Sequence, residues 1–225
     1  MIEILYEDNA LLVCRKPVGV LSEPSNGKGM PELLSAQLKE AEKKDFIAGV
    51  HRLDKNVGGL MVFSRRKDIT GKLIEQVAQR QMEKEYLAIV RGCPKETEGI
   101  FEDLLFHDSR CNKTFVVKRQ RKGVRDAKLS YRVLASIRQE ETTLTLVRVR
   151  LHTGRTHQIR VQFASRGMPL LGDIRYGSRD RRCDAALWSC RLCFTHPVTN
   201  QTVDISCLPP EQYPWDLFKR EELSL

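Results

Sequence analysis

Between residues 85 and 195 the chain passes through strand-like segments with almost no helical pattern among them, and that spacing limits the folds open to it. Residues 85–92, 114–118, 129–135, 142–151 and 187–195 are rich in β-branched and apolar side chains. The helical segment there is 156–166, closed by Gly167 at a C′ position. A doubly wound parallel sheet needs a helix after nearly every strand, and here the helices are too few. The prediction is an α+β fold: a long mixed, mostly antiparallel sheet with flanking helices. Upstream, 3–6 and 11–15 read as two strands around the turn Glu7-Asp8-Asn9, followed by a Gly/Pro/Ser-rich loop over 16–30. Residues 31–44 read as a helix with Leu33, Leu34 and Leu38 at helical spacing, and 59–64 as a central strand. Thr70 is placed as the cap of a helix whose buried stripe is Leu73, Ile74 and Val77. No linker divides the chain, so residues 1–225 are expected to form one domain of two lobes sharing one sheet.

Composition excludes several classes. Hydrophobic residues make up 41% and charged residues 30%, the balance of a globular chain rather than a disordered one. No apolar run approaches the roughly 18 residues of a membrane span. Glu3, Glu7 and Asp8 occupy positions where an export signal would carry lysines. Seven cysteines, an odd number, are read as free thiols in a reducing cytoplasm. The net charge of +9 is unevenly placed. Residues 1–112 hold 17 Lys+Arg against 18 Asp+Glu, whereas 113–225 hold 21 against 11. The excess is mostly arginine, which suits planar contact with phosphates; a solvated basic face is the alternative. Its densest part, 118–128 (KRQRKGVRDAK), is expected to be a mobile loop or hairpin tip.

Two segments could carry chemistry. Val50-His51-Arg52-Leu53-Asp54-Lys55 precedes the strand at 59–64. An acid on a loop at a sheet edge, with basic neighbours, stays ionised and can act as nucleophile or base. Equally, Asp54 could simply pair with Arg52 or Lys55 on a surface loop. The second segment runs from Leu151 to Arg160 (LHTGRTHQIR), a Gly turn entering a helix, where backbone N–H groups and arginines would suit an anion. Ile159 and Phe163 share the inward face, with Arg160 at its margin. A plain basic helix start is the other reading.

These residues resemble a known family. His51-Arg52-Leu53-Asp54 with Gly59-Leu60 is similar to the HRLD signature of RluA-type RNA pseudouridine synthases. Residues 84–92 (KEYLAIVRG) resemble the K-x-Y-x-A-x-V-x-G segment of that family, and 153–160 the TGRTHQIR motif. Leu171-Gly172-Asp173 with Tyr176-Gly177 resembles LGD…YG, and 192–197 and 208–210 resemble the family's closing L-x-F-x-H-P and proline-rich end. The motifs stand in order over almost the whole chain.

The resemblance implies a pseudouridine-synthase fold with a central RNA-binding cleft. It implies that Asp54 acts on the ribose of a flipped uridine, that Tyr86 stacks on the target base, and that Arg160 pairs with Asp54. Arg52 would enter the RNA and help hold the base out. Arg155, in the TGR turn, would contact a phosphate; independently of the family, the basic excess of the second half makes Arg121, Lys122 and Arg125 candidates for the RNA face. Isomerisation breaks N1–C1′, turns the uracil and joins C5 to C1′, so no cofactor and no metal are expected. Asp54 either adds to C1′ or removes a sugar proton on the way to a glycal. Flipping costs a few kcal/mol, less for an unpaired base, so a loop or bulge uridine of ribosomal RNA or tRNA is the expected target. A cytoplasmic monomer without membrane contact is expected, lacking the small amino-terminal RNA-binding domain of many relatives because Asp54 comes so early. Four positions depart from the family: Val57 and Gly58 where T-S is common, Gln162 for a histidine, and Trp188 where L-H-A has histidine. They put loop contacts in question rather than the aspartate, the tyrosine or the arginine.

Other signals lead elsewhere. Cys190 and Cys193 form C-x-x-C, but residues three apart in a strand point to opposite faces, which favours ordinary half-buried thiols over a metal or redox site. His51 and His157 are read as structural hydrogen-bonding residues rather than general bases. Two rival functions remain at this level. A non-catalytic RNA-binding or RNA-folding protein on the same fold has no use for a buried acid facing its polyanionic partner. A small-molecule isomerase or phosphotransfer enzyme would be expected to carry a phosphate loop, which the chain lacks.

Overall fold

The computed structural model describes residues 1–139 and 142–224. Its contacts divide into two compact units, Met1–Lys84 with Ser189–Pro209, and Glu85–Trp188 with Pro210–Leu225.

In the first unit, β1 (Glu3–Glu7), β2 (Leu11–Lys16), β4 (Gly58–Ser64) and β10 (Leu187–Thr195) lie in that order; β3 (Ala48–Gly49) pairs with β4 and β11 (Thr202–Ser206) with β10. The β1, β2 and β4 ladder is antiparallel, with Val13 opposite Val62 and Leu12 opposite Phe63. The continuous apolar run of β4 is explained by burial on both faces, since each of its residues is enclosed. The β1–β2 turn is held by Asp8, whose Oδ1 accepts from the Ala10 and Leu11 amides at 2.7 and 2.9 Å. Helix α1 (Met30–Glu40) starts at Pro31 and buries Met30, Leu34 and Leu38.

Helix α2 (Lys67–Ala78) corrects the sequence reading. Arg66, in extended backbone, is its N-cap. Thr70 lies inside the first turn, its hydroxyl donating to the Arg66 carbonyl at 2.8 Å. The buried residues are Ile69 and Leu73, four apart on one face. Of the expected stripe, Leu73 is buried and Val77 half-buried, but Ile74, one step round the helix, is 47% exposed, its place in the core taken by Ile69.

The second unit orders its strands β5 (Glu83–Arg91), β9 (Thr142–Leu151), β8 (Val124–Gln139), β6 (Glu98–Asp108) and β7 (Lys113–Val117), every pair antiparallel. The α+β class is borne out. β6, β3 and β11 were not foreseen, and β8 begins at Val124 rather than 129. Arg125, Asp126 and Lys128 gave its first turn-facing residues the look of a loop, yet they pair with β6 from Asp126 opposite Leu104 to Lys128 opposite Glu102. The basic stretch outside the strands is therefore confined to 118–123, and it is not a hairpin tip: β7 and β8 pair with β6 from opposite sides, so these residues cross from one side of β6 to the other. Phe101, Tyr131 and Phe163 form the aromatic core here, with ring centroids 4.7, 5.1 and 5.8 Å apart. Helix α3 (Gln158–Ala164) is shorter than expected because His157 takes a left-handed conformation, φ 56°; Gly167 ends it as anticipated, at φ 78°. Cys190 is buried and Cys193 half-buried. Among the described residues no helix is long and apolar enough to cross a membrane.

Gly59 adopts φ 114°, and a Cβ there would collide with the Ser189 backbone on β10. Gly59→Ala should lower unfolding free energy by at least about 1–3 kcal/mol from strain alone. Gly71→Ala, in α2 with open space around it, should instead raise it by about 0.5–1 kcal/mol. Urea midpoints of the two variants check both signs.

Candidate active site

In the first unit, Asp54 stands on a loop fixed by neighbours on both sides. Ser22 Oγ donates to the Leu53 carbonyl at 2.7 Å and accepts from the Leu53 amide at 3.0 Å. The Val57 amide closes the turn onto the Asp54 carbonyl at 3.0 Å. The next carbonyl, Lys55, accepts from the Gly19 amide at 2.9 Å and from Lys16 Nζ at 3.1 Å. Leu53 is buried in the core while Asp54 is half-buried, so a polar residue is presented from an anchored backbone.

Lys16 is the residue that sequence reasoning missed. It ends β2 with no exposed surface, and its ammonium donates to the carbonyls of Pro17, Val20 and Lys55 at 2.9, 2.7 and 3.1 Å. Burial pulls its pKa down to about 8, against the nearby negative charge of Asp54, which favours the ammonium. A lysine ending a run as apolar as Leu11–Cys14 was the available signal. His51 accepts the Val62 amide at Nε2, 3.2 Å, tying the loop to β4. Burial, and then the Lys84 charge, holds its pKa well below the usual histidine value, so the imidazole is neutral at pH 7. Its structural role is as expected. Arg52 is exposed, with a long 3.4 Å ion pair to an equally exposed Glu23 that contributes little to stability.

In the second unit, Arg160 is buried on α3. The carboxylate of Asp173 grips one edge of its guanidinium, Nε to Oδ2 at 2.7 Å and Nη2 to Oδ1 at 2.9 Å. The Tyr176 ring lies 5.2 Å from the guanidinium carbon. Tyr176 in turn accepts the Thr114 amide at 2.8 Å and bonds His157 Nδ1 at 2.9 Å, which gives His157 the structural role expected of it. Asp173 and Tyr176 belong to the LGD…YG segment seen in the sequence, which assigned them no role. Tyr86 is buried on β5, opposite Val149 of β9.

The turn before α3 is not the open anion site that the sequence suggested. Gln158 Oε1 accepts the Arg155 amide at 3.0 Å and the Thr153 hydroxyl at 2.8 Å, so these donors are used internally. Arg155 Nε reaches the Asp126 carbonyl at 2.9 Å, near the start of β8. Arg121, Lys122 and Arg125 are exposed there. Gln162, one of the departures, is buried and donates through Nε2 to Asp103 Oδ2 at 2.7 Å and the Phe101 carbonyl at 3.3 Å. Trp188, another, is buried.

A family model described as RNA pseudouridylate synthase matches residues 10–165, the stretch that carries Asp54, Tyr86 and Arg160. The chain belongs to the RNA pseudouridylate synthase family. It is an isomerase of the kind that converts uridine to pseudouridine in RNA. It is 34% identical to an uncharacterized RNA pseudouridine synthase of Aquifex aeolicus, over 94% of this chain and 71% of that protein. It is 36% identical to ribosomal large subunit pseudouridine synthase D of Nitrosomonas europaea, over 89% of this chain but only 60% of that protein. With tRNA pseudouridine synthase C of Haemophilus ducreyi, identity is 31% over 94% and 93%. The solved human RNA pseudouridylate synthase domain containing 4 superposes with a TM-score of 0.78 at 23% identity, over 98% of this chain and 92% of that one, which establishes the shared fold.

The buried lysine gives this isomerase a measurable pH signature. The folded state releases the Lys16 proton near pH 8, whereas the unfolded chain holds it to about 10.5. The unfolded state thus binds more protons across that window, and this group makes stability rise with pH there. Lys16→Met should remove that rise. Between pH 8 and 10 the parent should gain stability relative to the variant, read as diverging denaturant midpoints.

Proposed function

We propose that this chain isomerises specific uridines of ribosomal RNA or tRNA, with Asp54 as the catalytic carboxylate acting at the ribose. The observation that carries this reading is the anchored Asp54 loop: a half-buried carboxylate on a backbone fixed through Ser22 and Lys55, beside the buried ammonium of Lys16. Such a loop holds an acid at a fixed place, as a reaction at a single sugar carbon requires. Tyr86 is assigned to stacking on the target base and Arg160 to partnering the Asp54 carboxylate, both on the motif resemblance. The Asp173 fork supports the second assignment, because it fixes the plane of a guanidinium that must meet a carboxylate with defined geometry. Arg52 is assigned to holding the flipped base out.

The reaction balances within the substrate. N1–C1′ breaks, C5–C1′ forms, the C5 proton leaves, and N1 regains a proton. The proposed target is a loop or bulge uridine, where the cost of extruding the base is least. The names of the relatives favour both RNA classes. Residues 1–225 are proposed to act as one catalytic domain, monomeric and cytoplasmic. Asp54→Asn should abolish pseudouridine formation in total cellular RNA while leaving RNA affinity within a few-fold; normal turnover by that variant would overturn the assignment.

Arg155, Arg121, Lys122 and Arg125 are proposed as phosphate contacts. If four or five phosphates are neutralised, log affinity for single-stranded RNA should fall against log salt with a slope near about −3. Replacing Arg121, Lys122 and Arg125 by serine should make that slope shallower. Turnover at saturating RNA should stay close to that of the parent. Filter binding across a salt series, with single-turnover rates, measures both.

A further inference from the structure

Strand β7 ends the strand order of its unit, and it carries an aromatic side chain that the core does not use. Phe115 is 41% exposed. It stands directly opposite Phe106 of β6 in the register, so both rings lie on the same face, the face away from the buried cluster of Leu105, Ala127 and Val161. Each ring has a cation over it. Lys113 Nζ lies 5.6 Å from the Phe115 centroid, and the Arg121 guanidinium carbon 4.8 Å from the Phe106 centroid. The neighbouring acid on this hairpin, Asp108, is engaged by Arg110 at 3.2 Å.

The same ammonium links this face to the Arg160 cluster. Lys113 Nζ is also 5.6 Å from the Tyr176 ring, which packs against Arg160. Tyr176 packs on the opposite face, against Leu105, Ala127 and Val161, so the Lys113 ammonium at the start of the edge strand stands between Phe115 and the ring beside the arginine assigned to the reacting carboxylate. An exposed ring on an edge strand is ordinarily a liability for aggregation, and a lysine beside it discourages pairing with another apolar edge. Flat aromatic surface flanked by cations is also the surface on which unpaired bases stack while their phosphates are neutralised.

We propose that Phe115, with Lys113, is a stacking platform for an unpaired nucleobase that neighbours the target uridine in the RNA strand. This rests on the proposed RNA reading and adds to it a sequence-tolerant, largely salt-independent contact, distinct from the proposed phosphate contacts of Arg121, Lys122, Arg125 and Arg155. The platform selects for RNA whose bases are splayed out, because a base held in a duplex has no free face to offer.

The test uses the full chain, a single-stranded RNA of mixed sequence and the same RNA annealed to its complement. Phe115→Ala and Phe115→Leu should each weaken single-strand binding by about 5- to 150-fold, the usual range for losing one stacked base. The salt slope should remain that of the parent, whereas Lys113→Met should make it shallower by about 0.7. Phe115→Trp should bind like the parent, and duplex binding should be unaffected by Phe115→Ala. Unchanged urea midpoints establish that the variants are folded. The proposal is overturned if both non-aromatic variants bind single-stranded RNA as the parent does, or if leucine suffices where alanine fails. It is also overturned if the alanine variant changes only self-association or protein capture. A parent that makes no pseudouridine, yet loses RNA affinity on Phe115→Ala, would sink the enzymatic reading and leave the platform standing.

Discussion

The second unit is organised around a buried cation. A guanidinium on α3 with less than a tenth of its surface exposed is tolerable only where its charge is answered at close range, and the Asp173 carboxylate answers it through two parallel hydrogen bonds. That requirement propagates outward. Asp173 must be held at one position, which the Gly172 turn and its own amide bond to Leu170 provide. Tyr176 ends the short 3-10 turn 174–176 that Asp173 precedes, lies across the guanidinium and collects Thr114 and His157 through its hydroxyl. One ion pair thus orders α3, the turn at 174–176 and the start of β7.

The first unit solves the same problem with a different residue. Lys16 has no carboxylate bonded to its ammonium among the described residues; three backbone carbonyls hold it instead. Dipoles stabilise a buried ammonium less than a full charge does, which is why its pKa falls to about 8. The arrangement ties the Lys55 carbonyl, on one side of Asp54, to the carbonyls of Pro17 and Val20. Removing the lysine would leave three carbonyls to find other donors, so its cost to stability and its service to the loop cannot be separated.

Surface and interior divide the labour in this enzyme. The exposed arginines and lysines at and beside the 118–123 connection are solvated and long-ranged, suited to collecting a polyanion. The groups that would act on it are enclosed and short-ranged. The exposed Phe115 stands between these regimes: an apolar surface left open at an edge strand, with an ammonium beside it.

Much of this was legible in the sequence. The strand-rich second half required an α+β fold, β9 and β10 run over the residues read from pattern, and the motifs carried the family. The first turn of β8 was hidden because Arg125, Asp126 and Lys128 make a strand at a sheet's solvent face look like a charged loop. Ile74 was misplaced because helical spacing lets either Ile69 or Ile74 share a face with Leu73, and only packing decides which of them is buried. His157 shortened α3 because a left-handed residue is set by its hydrogen bonds rather than its type. Only tertiary structure could decide the partners of buried charges. Nothing in the order of residues tells Arg160 to choose Asp173, or Lys16 to choose the carbonyls of Pro17, Val20 and Lys55. Local sequence determines which elements form, through propensity and period; desolvation determines which distant polar atoms must meet, and that is known only once the chain has enclosed them.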